Sequence, residues 1–162
     1  MQPSSFICPI CAKNPGSHSF KQINHFKTTD TRVFYTCPAE ASKYDDYDGI
    51  IFHYDKTLAQ YIKSPWIWIF DAKGFSMKHI LEIRVGIGLA NLIVNKYSHN
   101  LQQVQIVNSN NYVMIIYKII KPYLPQQFQN KILVRKGPYL SNTSTNKGEQ
   151  KVEAHPINWF EL

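Results

Sequence analysis

Two cysteines close to the amino terminus have the spacing of a metal-binding turn. In the CPIC sequence, Cys8 and Cys11 are separated by two residues, as in a zinc knuckle. Cys37, which precedes a proline, offers a third thiol, and a histidine must complete the four ligands of a closed structural site. We therefore expect a structural zinc ion on Cys8, Cys11, Cys37 and His25, with His18 as the alternative to His25.

The same cysteines also have explanations that need no metal. Three cysteines in an intracellular protein do not build a disulfide framework, which leaves metal binding, redox chemistry or simple burial. Without a metal, the N-terminal segment would be redox-inert and partly disordered. Cys37 would then lie inside its strand as a small apolar side chain. The chain has no second CxxC sequence, so the spacing alone does not choose between these alternatives.

A carboxylate follows the most apolar stretch of the chain. The WIWIF run, residues 66–70, leads directly into Asp71, and open α/β sheets bind ligands at the carboxyl ends of their strands. An aspartyl nucleophile would need a second carboxylate two residues later, but that residue is Lys73. We expect Asp71 to shape the turn towards Gly74 and to cap the helix that follows.

Other catalytic patterns are missing from the sequence. The chain contains no GxSxG elbow, no glycine-rich phosphate loop followed by lysine, and no HExxH sequence. His53 and His79 fall in helical segments, and we interpret them as ordinary polar positions. The sequence therefore predicts a protein that is not an enzyme.

The elements that would position these residues follow an alternating order. Short β-branched or aromatic runs, bounded by turn formers, predict buried strands at residues 32–37, 66–70, 104–107 and 132–135. Apolar residues at helical spacing predict helices over residues 49–62 and 78–97. This order predicts an α/β fold, a mostly parallel mixed sheet of about four or five strands with helices packed against it. Continuous apolar runs favour strands that are covered on both faces.

One helical segment, residues 110–121, projects apolar side chains in almost every direction. Pro122 ends it, and Pro125 begins a second short helix. A surface helix would show a polar side. The segment is therefore either a core helix buried on both sides or a helix whose one face lines a cavity for an apolar ligand. Within the long helix before it, Gly86 and Gly88 suggest that another backbone packs closely.

The charge of the chain is uneven. Residues 1–60 hold six Lys/Arg against six Asp/Glu, whereas residues 61–162 hold twelve against five. The basic part favours an anionic partner, such as a membrane surface or nucleic acid. Nucleic acid is the weaker choice because the lysines are scattered through predicted helices. No apolar run approaches the roughly 20 residues of a membrane span, and the N-terminus lacks a signal-peptide h-region. We expect a cytoplasmic protein that associates peripherally with membranes.

The order of segments from Arg32 to Arg135 resembles the CRAL-TRIO domain of lipid-binding and phosphatidylinositol/phosphatidylcholine transfer proteins. That family has a strand ending in Asp and Gly, a tyrosine before the next strand, an asparagine after it, a Lys-Pro-Phe-Leu helix end, and a Lys-Ile pair that opens another strand. The corresponding residues here are Asp71, Gly74, Tyr97, Asn108, Lys121 to Leu124, Lys131 and Ile132.

The resemblance implies an apolar cavity for one lipid and a mobile helical gate over its mouth, in the region matched by Tyr112 to Asn130. It also implies that Lys131 contacts lipid phosphate. We expect that the domain binds a phospholipid or another hydrophobic ligand without changing it, and no cofactor is needed for that function. The expected lipid-binding and gate residues are Lys131, Tyr112, Ile116, Ile119, Ile120, Tyr123 and Phe128; Lys118, Lys121 and Arg135 are expected to contact phosphate or membrane.

This chain also departs from the family pattern. The Glu-Arg pair of phosphoinositide-binding members is replaced by His99-Asn100, and Ser98 and Asn110 stand where the family has prolines. The N-terminal helical bundle of the family is replaced by an extension over residues 1–30, before a core domain at 31–136 and a tail at 137–162. Within the tail, the final INWFEL is expected to pack back on the core. The competing hypothesis is an interaction module without a pocket. In it, zinc holds the N-terminal cysteines together, and the basic part of the chain binds a protein or nucleic acid.

Overall fold

The computed structural model describes residues 5–140, which form a five-stranded sheet with helices packed against it. The strands are β1 (Phe20–Phe26), β2 (Thr31–Thr36), β3 (Trp66–Asp71), β4 (Leu101–Val107) and β5 (Ile132–Val134). Their order in the sheet follows their order in the chain. β1 is antiparallel to β2, and every other neighbouring pair is parallel. The predicted α/β class and the mostly parallel mixed sheet are confirmed. The closing INWFEL lies outside the described residues.

Helices connect the parallel strands, as the alternating order requires. They are α1 (Pro9–Lys13), α2 (Tyr47–Ala59), α3 (Met77–Leu81), α4 (Ile83–Leu92), α5 (Asn111–Ile120) and α6 (Gln126–Gln129). The single helix expected over 78–97 is in fact three pieces. The chain leaves helical geometry at Glu82, with ψ of 39°, and α4 continues after its last residue into a π-helical turn, Ile93–Tyr97.

β3 shows how the pleat divides the apolar residues between the two faces of the sheet. Trp66 and Trp68 point to the face on which α2, α4 and α5 form the main core. Ile69, on the opposite face, is buried with Val33 and Val107 from the neighbouring strands. The centre of the sheet is therefore buried on both faces, as continuous apolar runs predict.

The glycines of α4 accommodate side chains of neighbouring helices, and the expected close backbone is not what they meet. A methyl group at Gly86 would lie 3.1 Å from Cδ1 of Ile120, and one at Gly88 would lie 2.6 Å from the ring of Tyr47. Large side chains from α5 and α2 therefore occupy the space that side chains at these two positions would fill.

The N-terminal segment joins the same sheet. β1 was not predicted from the sequence because FKQINHF is polar at most positions, a pattern that suits an edge strand. It pairs with β2 across the expected domain boundary at residue 30, so the sheet begins before that boundary. The Phe20 ring stacks on Tyr54 of α2, with 3.8 Å between ring centroids, and so attaches β1 to the main core.

Candidate functional site

A cavity of about 110 Å³ lies between the sheet and the helices α4, α5 and α6. Its floor consists of strand residues whose side chains face the helices: Thr36, Trp68, Phe70, Val104, Ile106 and Ile132. Val85, Gly86, Leu89 and Ala90 of α4 form one wall. Polar atoms at the floor are already paired, because Trp68 Nε1 donates to Thr36 Oγ1 at 2.9 Å and Thr36 Oγ1 lies 2.7 Å from the Tyr54 hydroxyl. Apolar side chains make up most of the remaining surface, which the His18 ring also borders.

The segment from α5 to α6 forms the opposite wall. Val113, Ile116, Tyr117 and Ile120 reach the cavity from α5, and Leu124 and Phe128 reach it from the following turns. Asn110 holds the start of α5: its Oδ1 accepts from Val113 N at 3.0 Å, and its Nδ2 donates to the carbonyls of Ala72 and Phe75, at 3.1 Å each. Of the two alternatives for residues 110–121, the structure therefore has the helix whose one face lines a cavity, and not the helix buried on both sides.

Three of the expected lining residues, Ile116, Ile120 and Phe128, line the cavity. Tyr112 and Ile119 do not, because α5 turns them to the outside, where they are 42% and 43% exposed. Tyr123 is 74% exposed, in the 3₁₀ turn after α5. The helical period explains the division, since residues 113, 116, 117 and 120 share one side of α5 while 112, 115 and 119 share the other. Tyr117, which also lines the cavity, was not among the expected lining residues.

The four basic residues expected to contact phosphate or membrane lie on α5, in the turn after it, and at the two ends of β5. Lys131, just before β5, donates from Nζ to the backbone carbonyl of Ser98 at 2.9 Å, and it is not among the described residues that line the cavity. Lys118 is exposed on α5, whereas Lys121 and Arg135 are partly buried. None of these four residues lines the cavity. Lys118 and Lys121 belong to the segment expected as the gate and Lys131 follows it directly, whereas Arg135 follows β5 at its opposite end.

Asp71 has a structural role in this region. Its carboxylate accepts from the Tyr35 hydroxyl at 2.6 Å, from Lys73 N at 2.9 Å and from Asn108 Nδ2 at 3.0 Å. Burial opposes ionisation of Asp71, but these three hydrogen bonds outweigh burial and lower its pKa. The expected turn is present, but the expected helix cap is not formed by Asp71. Ser76 caps α3 together with His79.

A second cavity, of about 250 Å³, lies near the amino ends of β3 and β4 and was not predicted. Aromatic residues and the ends of α2 and the π-helical turn surround it: Phe34, Leu58, Tyr61, Ile62, Trp66, Lys96 and Tyr97. His99 and Asn100, the pair that replaces the Glu-Arg of the family pattern, also line it. Asn100 donates to the carbonyl of Ile62 at 2.6 Å.

Four metal-binding side chains meet beside α2. The thiols of Cys8 and Cys11 and the Nδ1 atoms of His18 and His53 all lie within 4.8 Å of one another, and three of these residues are buried. The interpretation of His53 as an ordinary polar position was wrong about its surroundings. His53 follows Ile50 and precedes Tyr54 on the buried side of α2, and a histidine at such a position was the available signal.

Two of the expected zinc ligands lie outside this cluster. The backbone of Cys37 approaches the region, since its N–H donates to Ser19 Oγ at 3.1 Å, but its thiol points to the Lys73 carbonyl at 3.7 Å. His25 is seven residues from His18 along an extended strand, roughly 20 Å away at about 3.3 Å per residue. Its Nε2 lies 2.7 Å from Asp30 Oδ1. Of the two alternatives for the histidine, His18 is the one that reaches the cysteines.

Burial, followed by the proximity of His18, lowers the pKa of His53 to about 4. Burial also raises the pKa of the Cys11 thiol. His53 is therefore neutral at pH 7, which is the form of imidazole that binds metals.

Comparison with known proteins identifies the domain. The family described as the CRAL/TRIO domain matches residues 47–152. The chain belongs to the CRAL/TRIO domain family. Domains of this family bind lipids, so a lipid-binding domain is the general class of this chain. No curated protein sequence is similar enough to count as a match.

Solved structures support the same CRAL/TRIO fold. The crystal structure of Sfh5 is similar, with a TM-score of 0.53 and 16% sequence identity. The similarity covers 77% of this chain but 55% of the Sfh5 chain, so the chain spans little more than half of that protein. The CRAL/TRIO match begins at the first residue of α2, which places Cys8, Cys11 and His18 before the matched region and His53 within it. No helix among residues 5–140 is long and apolar enough to cross a membrane.

Proposed function

We propose that this CRAL/TRIO domain binds a hydrophobic or amphipathic molecule, a phospholipid by preference, and releases it chemically unchanged. The observation that carries the proposal is the apolar cavity of about 110 Å³ beneath α5 and α6. It lies under the segment that corresponds to the helical gate of the family. An apolar void of about 150 Å³ is sufficient to bind benzene, so the cavity as it stands has room for a few carbon atoms of an acyl chain.

A whole lipid requires the gate to move outward. Each methylene group withdrawn from water contributes about 0.8 kcal/mol, so an acyl chain can offset the apolar contacts that α5 loses when it shifts. Pro122 and Pro125 limit the hydrogen bonding of the connection between α5 and α6 to short turns. In our proposal the gate is the segment from Tyr112 to Asn130, which lies between the Asn110 cap of α5 and β5.

The outer side of the gate is suited to a membrane. Tyr112, Ile115 and Ile119 form an exposed apolar stripe on α5, and Lys118 is exposed between them. α3, which packs against α5, exposes Met77 and Leu81. Apolar side chains enter the interface of a bilayer while each lysine near an anionic surface contributes about 1 kcal/mol. Lys118, with Lys121 three residues later, supplies that charge in our proposal.

The experiment that tests the cavity uses two isoleucines of α5. Ile116 lines the cavity, whereas Ile115 is 45% exposed. Ile116→Trp should reduce the affinity for a monomeric short-chain fluorescent phospholipid about tenfold, equivalent to about 1.4 kcal/mol, because the larger indole side chain occupies space that an acyl chain needs. Ile115→Trp should leave the affinity unchanged. Equal affinities of the two variants, with thermal melting confirming that both are folded, would refute the cavity as the ligand site.

Lys131 is proposed to bind the lipid phosphate by exchanging its bond to the Ser98 carbonyl for the anion. Lys131→Ala should weaken binding of a phospholipid with an anionic headgroup several-fold and leave folding intact. The matched control is Lys136→Ala, which removes an exposed lysine five positions later. An unchanged affinity in Lys131→Ala would remove this residue from the site.

The membrane surface is tested separately, by sedimentation with vesicles that contain phosphatidylserine. Ile119→Ser should reduce the bound fraction, and added salt should reduce it further by screening Lys118. Ile62→Ser is the matched control, because Ile62 is also exposed, at 55%, but lies in the turn after α2. Equal loss in the two variants would contradict a membrane role for α5.

The small size of the cavity supports one competing function. If the gate does not open, the domain is a pocketless module that binds a protein partner through its basic half. Absence of phospholipid uptake by the wild-type chain, together with unchanged behaviour of Ile116→Trp, would favour this module.

A further inference from the structure

Two thiols and two imidazole rings converge from three separate parts of the chain. Cys8 and Cys11 flank the first turn of α1, His18 precedes β1, and His53 belongs to α2. We propose that these four side chains bind one zinc ion in a closed tetrahedral site that attaches the N-terminal segment to α2. The site is independent of the lipid cavity in its chemistry and begins before the part of the chain that matches the family.

The distances between the ligand atoms agree with a tetrahedral zinc centre. Bond lengths of about 2.3 Å to sulfur and 2.0–2.1 Å to nitrogen, at tetrahedral angles, separate sulfur from nitrogen by about 3.5 Å and two nitrogens by about 3.3 Å. His18 Nδ1 lies 3.5 Å from Cys8 Sγ and 3.6 Å from Cys11 Sγ, and Cys11 Sγ lies 3.5 Å from His53 Nδ1. The two Nδ1 atoms are 3.2 Å apart. Four of the six pairwise separations therefore match a tetrahedral centre, and the other two, from Cys8 Sγ to Cys11 Sγ and to His53 Nδ1, are within 4.8 Å.

The proton on His18 is placed on the side away from the cluster. His18 Nε2 lies 2.7 Å from Asp46 Oδ2, so the Nε2–H group donates a hydrogen bond to the carboxylate. The lone pair of Nδ1 is then directed at the cluster. A carboxylate behind a ligand histidine is the usual outer support of a zinc site. Asp46 is itself fixed, because it caps α2 by accepting from Gly49 N at 3.2 Å.

Hydrogen bonds fix the backbone of the loop before β1, which carries His18. Gly16, with φ of +80°, turns the chain, and the buried Ser17 donates from Oγ to the Asn14 carbonyl at 2.6 Å. Lys43 N donates in turn to the Ser17 carbonyl at 2.9 Å. These bonds position His18 against the segment that leads into α2. The ring of His53 has a hydrogen bond with the Phe20 backbone.

The chemistry of the donors favours zinc in a structural role. Two thiolates and two imidazoles are a common ligand set of closed zinc sites, and with four protein ligands no position remains for a substrate or an activated water. The competing state of the same residues is a disulfide between Cys8 and Cys11, and mass spectrometry distinguishes it by the loss of two hydrogens.

The direct test is metal analysis of the full chain after expression in zinc-replete medium. We expect one zinc per chain, and X-ray absorption at the zinc edge should show two sulfur and two nitrogen neighbours. Cobalt that replaces zinc should give the visible absorption of a tetrahedral site with thiolate ligands. A chain that contains no zinc, takes up no cobalt or carries a Cys8–Cys11 disulfide would overturn the proposal.

Variants decide which residues are the ligands. Cys11→Ala and His53→Ala should lose the bound zinc, whereas Cys37→Ala and His25→Ala should retain one zinc per chain. Asp46→Asn, which preserves a helix cap, should reduce zinc affinity about 10- to 100-fold. His53→Cys should keep one zinc per chain with three sulfur neighbours, which separates loss of a ligand from loss of folding. Loss of zinc in Cys37→Ala, or full zinc in Cys11→Ala, would contradict this assignment.

Discussion

The apolar cavity and the cysteine–histidine cluster are adjacent, but different physical interactions determine what each can bind. His18 contributes to both, because its ring belongs to the cluster and also borders the cavity. The cavity depends on shape and is formed by many side chains from four strands, four helices and the turns between them. The cluster depends on four atoms at fixed distances. Single substitutions should therefore abolish the cluster, whereas the cavity should respond gradually to changes in volume.

The largest expected difference between the two regions is in stability after metal removal. A ligand present at about 1,000 times its dissociation constant contributes about 4 kcal/mol of stability. Treatment with a zinc chelator should therefore lower the melting temperature by roughly 10 °C, at about 2–4 °C per kcal/mol for a chain of this size. Differential scanning calorimetry measures the change, and Cys11→Ala provides the control because chelation should not alter its melting temperature. A wild-type melting temperature that resists the chelator would contradict a stabilising metal.

A smaller effect is expected at Asp71, which belongs to neither region. Asp71→Asn weakens the hydrogen bonds from Tyr35 and Asn108 to a charged acceptor and should cost about 2 kcal/mol at pH 7. The folded-state pKa of Asp71 is lowered, so this stabilisation is complete above the unfolded pKa, near 3.9, and disappears as the pH falls through the folded pKa. Denaturant unfolding should give different stabilities for wild type and variant at pH 7 and converging stabilities below about pH 3. Metal content and phospholipid affinity should not change, and a change in either would assign Asp71 to a site.

The smallest effect should be a gain in stability on the cavity side. Gly86 lines the cavity in the interior of α4, and the tightest contact of a methyl group there is with the flexible end of Ile120, at 3.1 Å. Gly86→Ala should stabilise the fold by up to about 1 kcal/mol through helix propensity and should weaken phospholipid binding, because Ile120 turns into the void. Denaturant unfolding and ligand titration measure the two effects. A loss of stability would mean that the cavity is too rigid to yield to one methyl group.

Much of the fold was predictable because the responsible signals are local. The apolar runs of β2, β3 and β5 and the stop at Pro122 each depend on neighbouring residues, and the structure has them where they were expected. β1 was missed because an edge strand with a polar outer face has no periodic apolar pattern. The break at Glu82 was missed because α3 and α4 each present helical spacing, and only their packing separates them.

The sites were less predictable because they depend on which side chains face each other. Helical spacing alone would have divided α5 into its inner residues, such as Ile116, and its outer residues, such as Ile119, once the direction of the core was known. The spacing of CPIC had indicated two of the four residues that meet in the cluster. His53, however, reaches Cys11 across 42 positions through the packing of α2, and nothing near either residue in the sequence joins them.

The most direct test of the lipid-binding account is native mass spectrometry of the intact chain purified from cells. The account predicts a population whose mass exceeds that of the zinc-bound chain by one phospholipid. This population should be absent from the Ile116→Trp variant, in which the tryptophan side chain fills the cavity. A spectrum without any lipid adduct, both as purified and after incubation with phospholipid vesicles, would contradict it.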